Sequence, residues 1–393
     1  MTSTSLEALA RDLLARCVAG DVPEELPRAL AEDPDGQALF GILVEGLADR
    51  FEPAQCDAYA RLLAHAMAPA DPAPLVARYE RVRRVRPVRG EPRRVFVLSR
   101  VTLGADVAVT SVLLAAAKER FPRAKVVLVG PRKNYELFAA DPRIGHAEVA
   151  YRRGSLGERL SVREPLESLL SAADSIVLDP DSRLTQLGLL PVCPEERYRL
   201  FESRGYGGAG SRSLPQLAAG WAAETLGISG ARPYVALPGE SRPAASMTVS
   251  LGVGENLAKR LPDPFEEQLL ALLAQRGEAI CVDRGAGGEE AERVARAAKR
   301  SGAPVTFWEG PFAGFAAWIA GSRLFVGYDS AGQHVAAACG VPLITVFAGF
   351  PVPRMFERWR PVGPHCQVIR VDRPDAAATL ERVRAALAGT TTR

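Results

Sequence analysis

The 393-residue chain has little that would tie it to a metal, a membrane span or a nucleic acid. Its six cysteines (Cys17, Cys56, Cys193, Cys281, Cys339, Cys366) are scattered, with no C-x-x-C pair and no histidine at ligand spacing from them. Zinc and metal cofactors are therefore not expected, and the thiols read as buried side chains of a reducing compartment. No run of ~18 uncharged apolar residues occurs, and Met1 to Glu7 lacks a basic region followed by an apolar stretch. A cytoplasmic protein is expected, at most peripheral at the inner face of a membrane. With 49 basic and 46 acidic residues the formal charge is only +3, too small a field to draw nucleic acid, so any anion site must be local. Gly-x-Gly-x-x-Gly follows the first strand of neither α/β region, which disfavours a dehydrogenase.

What is present is material for a large core. Hydrophobic residues make up 47% and charged residues 24%, and mean hydropathy is -0.01, the profile of a soluble globular chain long enough for two or three domains. Residues 1–88 read as helical, with apolar stripes such as Leu6, Leu9, Leu13, Leu14 and Cys17, and with Gly20, Pro23, Pro53 and the Ala68–Pro74 stretch as breaks. This predicts an accessory helical domain. It ends in a connector holding Arg81, Arg83, Arg84, Arg86, Arg89, Arg93 and Arg94, which reads as a solvated linker or, more sharply, as a patch for anionic lipid headgroups or a phosphorylated acceptor.

From Arg94 onward strands and helices alternate. Short apolar runs at Arg94–Leu98, Lys125–Val129 and Ser175–Leu178, with a helical stripe over Asp106–Arg120, predict a parallel sheet covered on both faces over 89–230. Ile228 to Ala245, rich in Gly, Pro and Ser, suits a hinge. The alternation then restarts over 245–393, with strands at Met247–Leu251, Ala279–Val282, Arg323–Val326 and Leu343–Phe347. The fold class is thus α/β, with two Rossmann-like doubly wound domains and a cleft expected at the carboxyl ends of their strands.

Four segments carry the chemistry. Arg94–Arg100 followed by Leu103-Gly104-Ala105-Asp106-Val107 puts a carboxylate at a strand-to-helix turn. Ser250-Leu251-Gly252-Val253-Gly254 leads to Lys259-Arg260-Leu261-Pro262. Gly285-Ala286-Gly287-Gly288-Glu289 opens a helix with acidic residues, Glu290 being adjacent. Asp329-Ser330-Ala331-Gly332-Gln333-His334, with small apolar residues after it, follows a strand and begins a helix whose free N–H groups would face an anion.

Together these segments resemble the family 9 glycosyltransferases, the family of the ADP-heptose:lipopolysaccharide heptosyltransferases. The resemblance covers about seven tenths of the chain. It implies the GT-B arrangement and an inverting, metal-independent transfer of a sugar from a nucleotide-sugar donor to a glycan or lipid-linked acceptor, with no cofactor, in cell-envelope or lipopolysaccharide-like synthesis. By resemblance Asp106 is the general base, Lys259 or Arg260 holds the donor diphosphate, Glu289 holds the ribose, and Asp329, Ser330, Gly332 and His334 form the diphosphate end of the donor site. The chain departs from the family pattern at inserted Ala105, at Leu261 in place of Trp, at Gly254 and Glu255 in place of small hydroxyl residues, and at Gly332, one position late. Taken singly, Asp106 also reads as a helix cap, and the acidic pair as an ordinary first turn. A nucleotide-sugar epimerase of the same architecture, and a nucleotide-binding protein without turnover, are the alternatives. In the first α/β region Asp179–Arg183 and Thr185 form a polar stretch after a strand, read as an acceptor loop contributing Arg183 and Thr185, or as a turn.

Overall fold

The protein is described by a computed structural model over residues 3–238, 246–254, 256–285 and 287–390. Residues 239–245 of the expected hinge, together with Glu255 and Ala286, lie outside the described residues. The chain divides into two compact units. The first comprises Met1–Thr102, Val109–Tyr135 and Pro142–Arg232; the second comprises Leu103–Ala108, Glu136–Asp141 and Pro233–Arg393.

The first unit holds five parallel strands, β1 (Arg94–Leu98), β2 (Lys125–Gly130), β3 (Ile144–Glu148), β4 (Ser175–Asp179) and β5 (Tyr198–Leu200), in the order β3-β2-β1-β4-β5. β1 is central because all of Val95 to Leu98 is buried, so neither face meets water. It pairs in register with β2 and β4, Val97 opposite both Leu128 and Leu178. Chain order reverses between β1 and β4, which makes their carboxyl ends the switch point where such sheets take ligands.

The helices of the first 82 residues do not form a separate body. Leu13, Leu43, Leu63 and Tyr79 belong to the same buried cluster as Phe96, Leu98, Val177 and Leu200 of the sheet. The reason is in the stripes: each short helix has one apolar face, and the apolar side chains on a face of the sheet offer the partner. Part of the arginine connector is spent here, Arg81 and Arg86 at the junction and Arg83 among the helices. Arg81 pairs with Glu195 at 2.7 Å, Arg83 with Asp57 at 2.5 Å, and Arg86 donates to the carbonyls of Glu195 and Tyr198. Arg84, Arg89 and Arg94 remain exposed.

The second unit has six parallel strands, β6 (Met247–Ser250), β7 (Ile280–Asp283), β8 (Val305–Trp308), β9 (Leu324–Tyr328), β10 (Leu343–Phe347) and β11 (Cys366–Arg370), ordered β11-β10-β9-β6-β7-β8. Counted within the unit this is the doubly wound order 3-2-1-4-5-6, and its switch point falls between β6 and β9. Met247, Val249, Val326, Ile344 and Val346 form the core with helices Phe265–Ala274 and Gly288–Ser301. Among the described residues no helix is long and apolar enough to cross a membrane.

Candidate donor and acceptor sites

Two loops leave the sheet at the second unit's switch point, one after β6 and one after β9. The first ends in a turn at Leu257–Lys259, and the amide of Leu261 donates to the Tyr328 hydroxyl at 3.2 Å, which anchors the loop to the end of β9. The second is two residues long, Asp329 and Ser330, and runs into helix Ala331–Ala338. Across the switch point Lys259 Nζ lies 2.7 Å from Asp329 Oδ2 and donates to the Asp329 carbonyl at 3.4 Å. Sequence reasoning named both residues but not their pairing.

Asp329 is buried and its other oxygen accepts from the Gln333 amide. The Gln333 carbonyl in turn accepts from Thr345 Oγ1 at 2.9 Å. This chain of donors fixes the carboxylate on β10 and the helix together. Gln333 and Thr345 were not singled out from sequence, although an amide one turn after an aspartate on a buried helix face could have signalled it.

His334 sits on the same helix, buried, with its ring 5.9 Å from Trp359 and Nε2 3.4 Å from the Gln333 amide nitrogen. An amide nitrogen only donates, so Nε2 accepts and the imidazole proton resides on Nδ1. Burial lowers the imidazole to about 4, nearby Lys259 adding to the effect and Asp329 opposing it. His334 is therefore a neutral hydrogen-bond donor at pH 7 and not a cation. Ser330 is the helix cap residue, and its buried hydroxyl makes no hydrogen bond. Gly332 serves packing: a Cβ there would come within 2.6 Å of the Phe325 ring, so glycine lets the helix lie close to β9.

Arg260 and the acidic pair take different places from Lys259. Arg260 is held by Asp263 and, at 3.1 Å, by the buried Glu266, which Arg293 also contacts. Its charge is matched there, and Lys259 is the cation at the helix start. Glu289 is exposed in the first turn of helix Gly288–Ser301, whereas Glu290 accepts from the amides of Val253 at 2.9 Å and Gly254 at 3.0 Å. Glu290 thereby holds the β6 loop.

Asp106 is fully buried. It opens a π-helical turn, Asp106–Thr110, between the short helical turn Leu103–Ala105 and helix Ser111–Arg120. A π turn bonds i to i+5 and so takes up one more residue than an α turn. The extra residue Ala105 is accommodated in this way, immediately beside the carboxylate. Leu103–Ala108 belongs to the second unit, and a Cβ on Gly104 would lie 3.2 Å from both the Ala331 Cα and the His334 ring. Glycine leaves room for this close approach, which brings the Asp106 turn onto the start of helix Ala331–Ala338.

In the first unit the polar stretch after β4 folds inward. Thr185, expected to meet an acceptor, is fully buried: Oγ1 donates to Asp179 Oδ2 at 2.5 Å and accepts from the Gly188 amide at 3.1 Å. Tyr198 and the Ser182 amide complete the shell around Asp179, whose carboxyl burial pushes up to about 6. Thr185 is thus a structural residue. Its loop turns back through Gln186 and Leu187, both at positive φ (49° and 61°). Asp181 and Val101 nearby also have positive φ, 68° and 70°, a conformation Asp adopts readily and a β-branched valine rarely. Arg183 does reach outward and pairs with Glu45 of the N-terminal helices at 2.7 Å. Among the described residues no group of three or more His, Cys, Asp or Glu side chains is placed to hold a metal ion.

Comparison with known proteins agrees with this architecture. The chain aligns with a structure of E. coli heptosyltransferase WaaC with ADP at 20% identity and a TM-score of 0.53, over 75% of this chain and 99% of that one. It aligns with a glycosyl transferase family 9 structure from Veillonella parvula at 14% identity and a TM-score of 0.56, over 77% and 91%. The E. coli ADP-heptose lps heptosyltransferase II matches at 18% identity and a TM-score of 0.51, over 75% and 98%. No curated protein matches the sequence. By fold the chain is a GT-B type protein. Residues 251–386, the greater part of the second unit, match the model of glycosyltransferase family 9 (heptosyltransferase).

Proposed function

We propose that the chain is an inverting, metal-independent transferase that moves a sugar, a heptose by its family, from a nucleotide diphosphate donor to a hydroxyl of a glycan or lipid-linked acceptor, in cell-envelope synthesis of the lipopolysaccharide kind. The supporting observation is the set at the second switch point: Lys259 paired to Asp329, an unpartnered Ser330 hydroxyl and the free amides of helix Ala331–Ala338. A departing diphosphate gains charge as the anomeric C–O bond breaks, and a cation beside a helix N-terminus answers that charge. Lys259 exchanges its carboxylate partner for the phosphates, Ser330 Oγ donates, and His334 supplies a neutral N–H.

Asp106 acts on the other partner. It takes the proton of the acceptor hydroxyl, whose oxygen attacks the anomeric carbon from the face opposite the leaving group, while the bonding electrons leave with the nucleoside diphosphate. Glu289 holds the donor ribose in this reading. No cofactor is consumed. The protein works in the cytoplasm at the inner face of the membrane, with exposed Arg84, Arg89 and Arg94 available to anionic headgroups.

The test is product analysis with purified protein and a panel of nucleotide diphosphate sugars, ADP-heptose included. Acceptor-dependent release of nucleoside diphosphate with a new glycosidic bond of inverted configuration is expected. Sugar epimerised without transfer, or donor bound and never consumed, would replace this reading.

A further inference from the structure

The first unit contains a crevice where the N-terminal helices meet the loop after β4, lined by Phe40, Tyr151, Arg159, Arg183, Gln186 and Arg204. Its charge is unbalanced. Arg159 is 7% exposed, yet its guanidinium donates only to neutral groups, the carbonyls of Gly154 and Arg153 and the Tyr151 hydroxyl, and it stacks 3.8 Å from the Phe40 ring centroid. No carboxylate lies within ion-pair distance of it among the described residues. Arg204 is equally buried; one nitrogen meets Asp181, but its Nε has no hydrogen-bond partner. Arg183 brings a third cation, half-buried and held by the only acidic side chain in the lining, Glu45.

A buried guanidinium without an anion, and a buried N–H without an acceptor, are both costly unless something supplies what is missing. One oxyanion supplies both. Its negative charge would balance Arg159, its oxygens would accept from the Nε of Arg204, whose charge Asp181 already meets, and it could take Arg183 from Glu45 in bidentate fashion. The neighbouring backbone at Gln186 and Leu187 is held at positive φ, which shapes this wall of the crevice.

We infer that this crevice is a binding site for an oxyanion, a phosphate ester or a carboxylate, carried by the ligand of the first unit, and that Glu45 occupies part of its place when the ligand is absent. Calling that ligand the acceptor rests on the transferase reading; binding of the oxyanion does not, and it is measured without turnover. The N-terminal helices then contribute to recognition, since Phe40 and Glu45 come from them.

The experiment is a calorimetric titration of the full chain with inorganic phosphate and, separately, acetate, at constant ionic strength with chloride as the control. Saturable binding of phosphate points to a phosphorylated ligand, and tighter binding of acetate to a sugar acid. Arg183→Gln should weaken binding about tenfold, the scale of one charge-assisted hydrogen bond. Glu45→Gln should strengthen it severalfold by removing the competitor, and in a Lys259→Ala background, where the second unit's phosphate site is disabled, the binding that responds to Arg183 and Glu45 should persist. The inference is overturned if neither anion binds, if both crevice variants bind as the parent does, or if Lys259→Ala alone abolishes binding, which would place the anion at the second unit's helix start.

Discussion

Lys259 and Asp329 lie 70 residues apart in the chain and 2.7 Å apart in space, joined across the one point of the second sheet where strand order reverses. The pair joins a cation on a long side chain to a carboxylate that Gln333 already fixes, so the ammonium is held beside the helix start before any ligand arrives. Lys259→Ala should therefore weaken nucleoside diphosphate binding by about tenfold or more while nucleoside binding changes little, because hydrogen bonds to charged groups are worth ~1.5–3 kcal/mol. Calorimetry with both ligands checks this. Equal losses for the two would remove Lys259 from the phosphates.

His334 predicts a pH dependence of stability. Its folded value, about 4, lies below the ordinary 6.5, so between these values the unfolded chain binds the extra proton. The contribution is complete above pH 6.5 and is lost as pH falls toward 4. A difference of 6.5 minus 4 is 2.5 units, which amounts to on the order of 3 kcal/mol at most. His334→Gln should flatten that part of the profile in urea unfolding followed from pH 7.5 downward. An unchanged slope would assign the pH dependence to other groups.

Asp106→Asn should reduce transfer by roughly 10²- to 10⁴-fold, the contribution of a general base, with donor affinity nearly intact. The substitution keeps shape in a fully buried site, so folding should survive. Turnover and donor binding measured on one preparation decide it; wild-type turnover at neutral pH would exclude Asp106 as the base.

How far the sequence revealed this site depends on the separation of the interacting groups. The segment Asp329 to His334 was legible because strand, cap and helix are contiguous, and β1 and β10 were placed at their observed bounds from their apolar runs. The Lys259–Asp329 pair was not, since it is made by tertiary packing. The choice between Glu289 and Glu290 was hidden because both occupy one helical turn, and only the position of the Val253 and Gly254 amides separates them. Thr185 misled because a hydroxyl in a polar loop looks exposed until Gln186 and Leu187 turn the chain back over it. The arginine connector read as a solvated linker or an anion-binding patch, and not as a tertiary contact, because the partners of Arg81 and Arg83, Glu195 and Asp57, are not its neighbours in sequence.

Deleting residues 1–88 should abolish folding of the first unit and not merely its localisation. The deletion would uncover Phe96, Leu98 and Leu200 and strip Glu195 and the Gly188 carbonyl of Arg81 and Arg78. Losses of buried apolar side chains cost ~2–5 kcal/mol each on truncation, and whole-domain stabilities are only ~5–15 kcal/mol. Soluble yield and circular dichroism of the truncated chain test this. A well-folded, cooperative product would show the helices to be dispensable.

The shared core also bears on how the protein is made. The helices up to Val82 leave the ribosome well before β5 ends at Leu200, and at ~5–20 residues per second that interval is on the order of ten seconds. During it the faces carrying Leu13, Leu43 and Leu63 have no sheet to cover them. The helical segment is thus translated ahead of the strands that cover it and completed late, an exposure that invites holding by chaperones and makes slow elongation before β4 and β5 a hazard for yield.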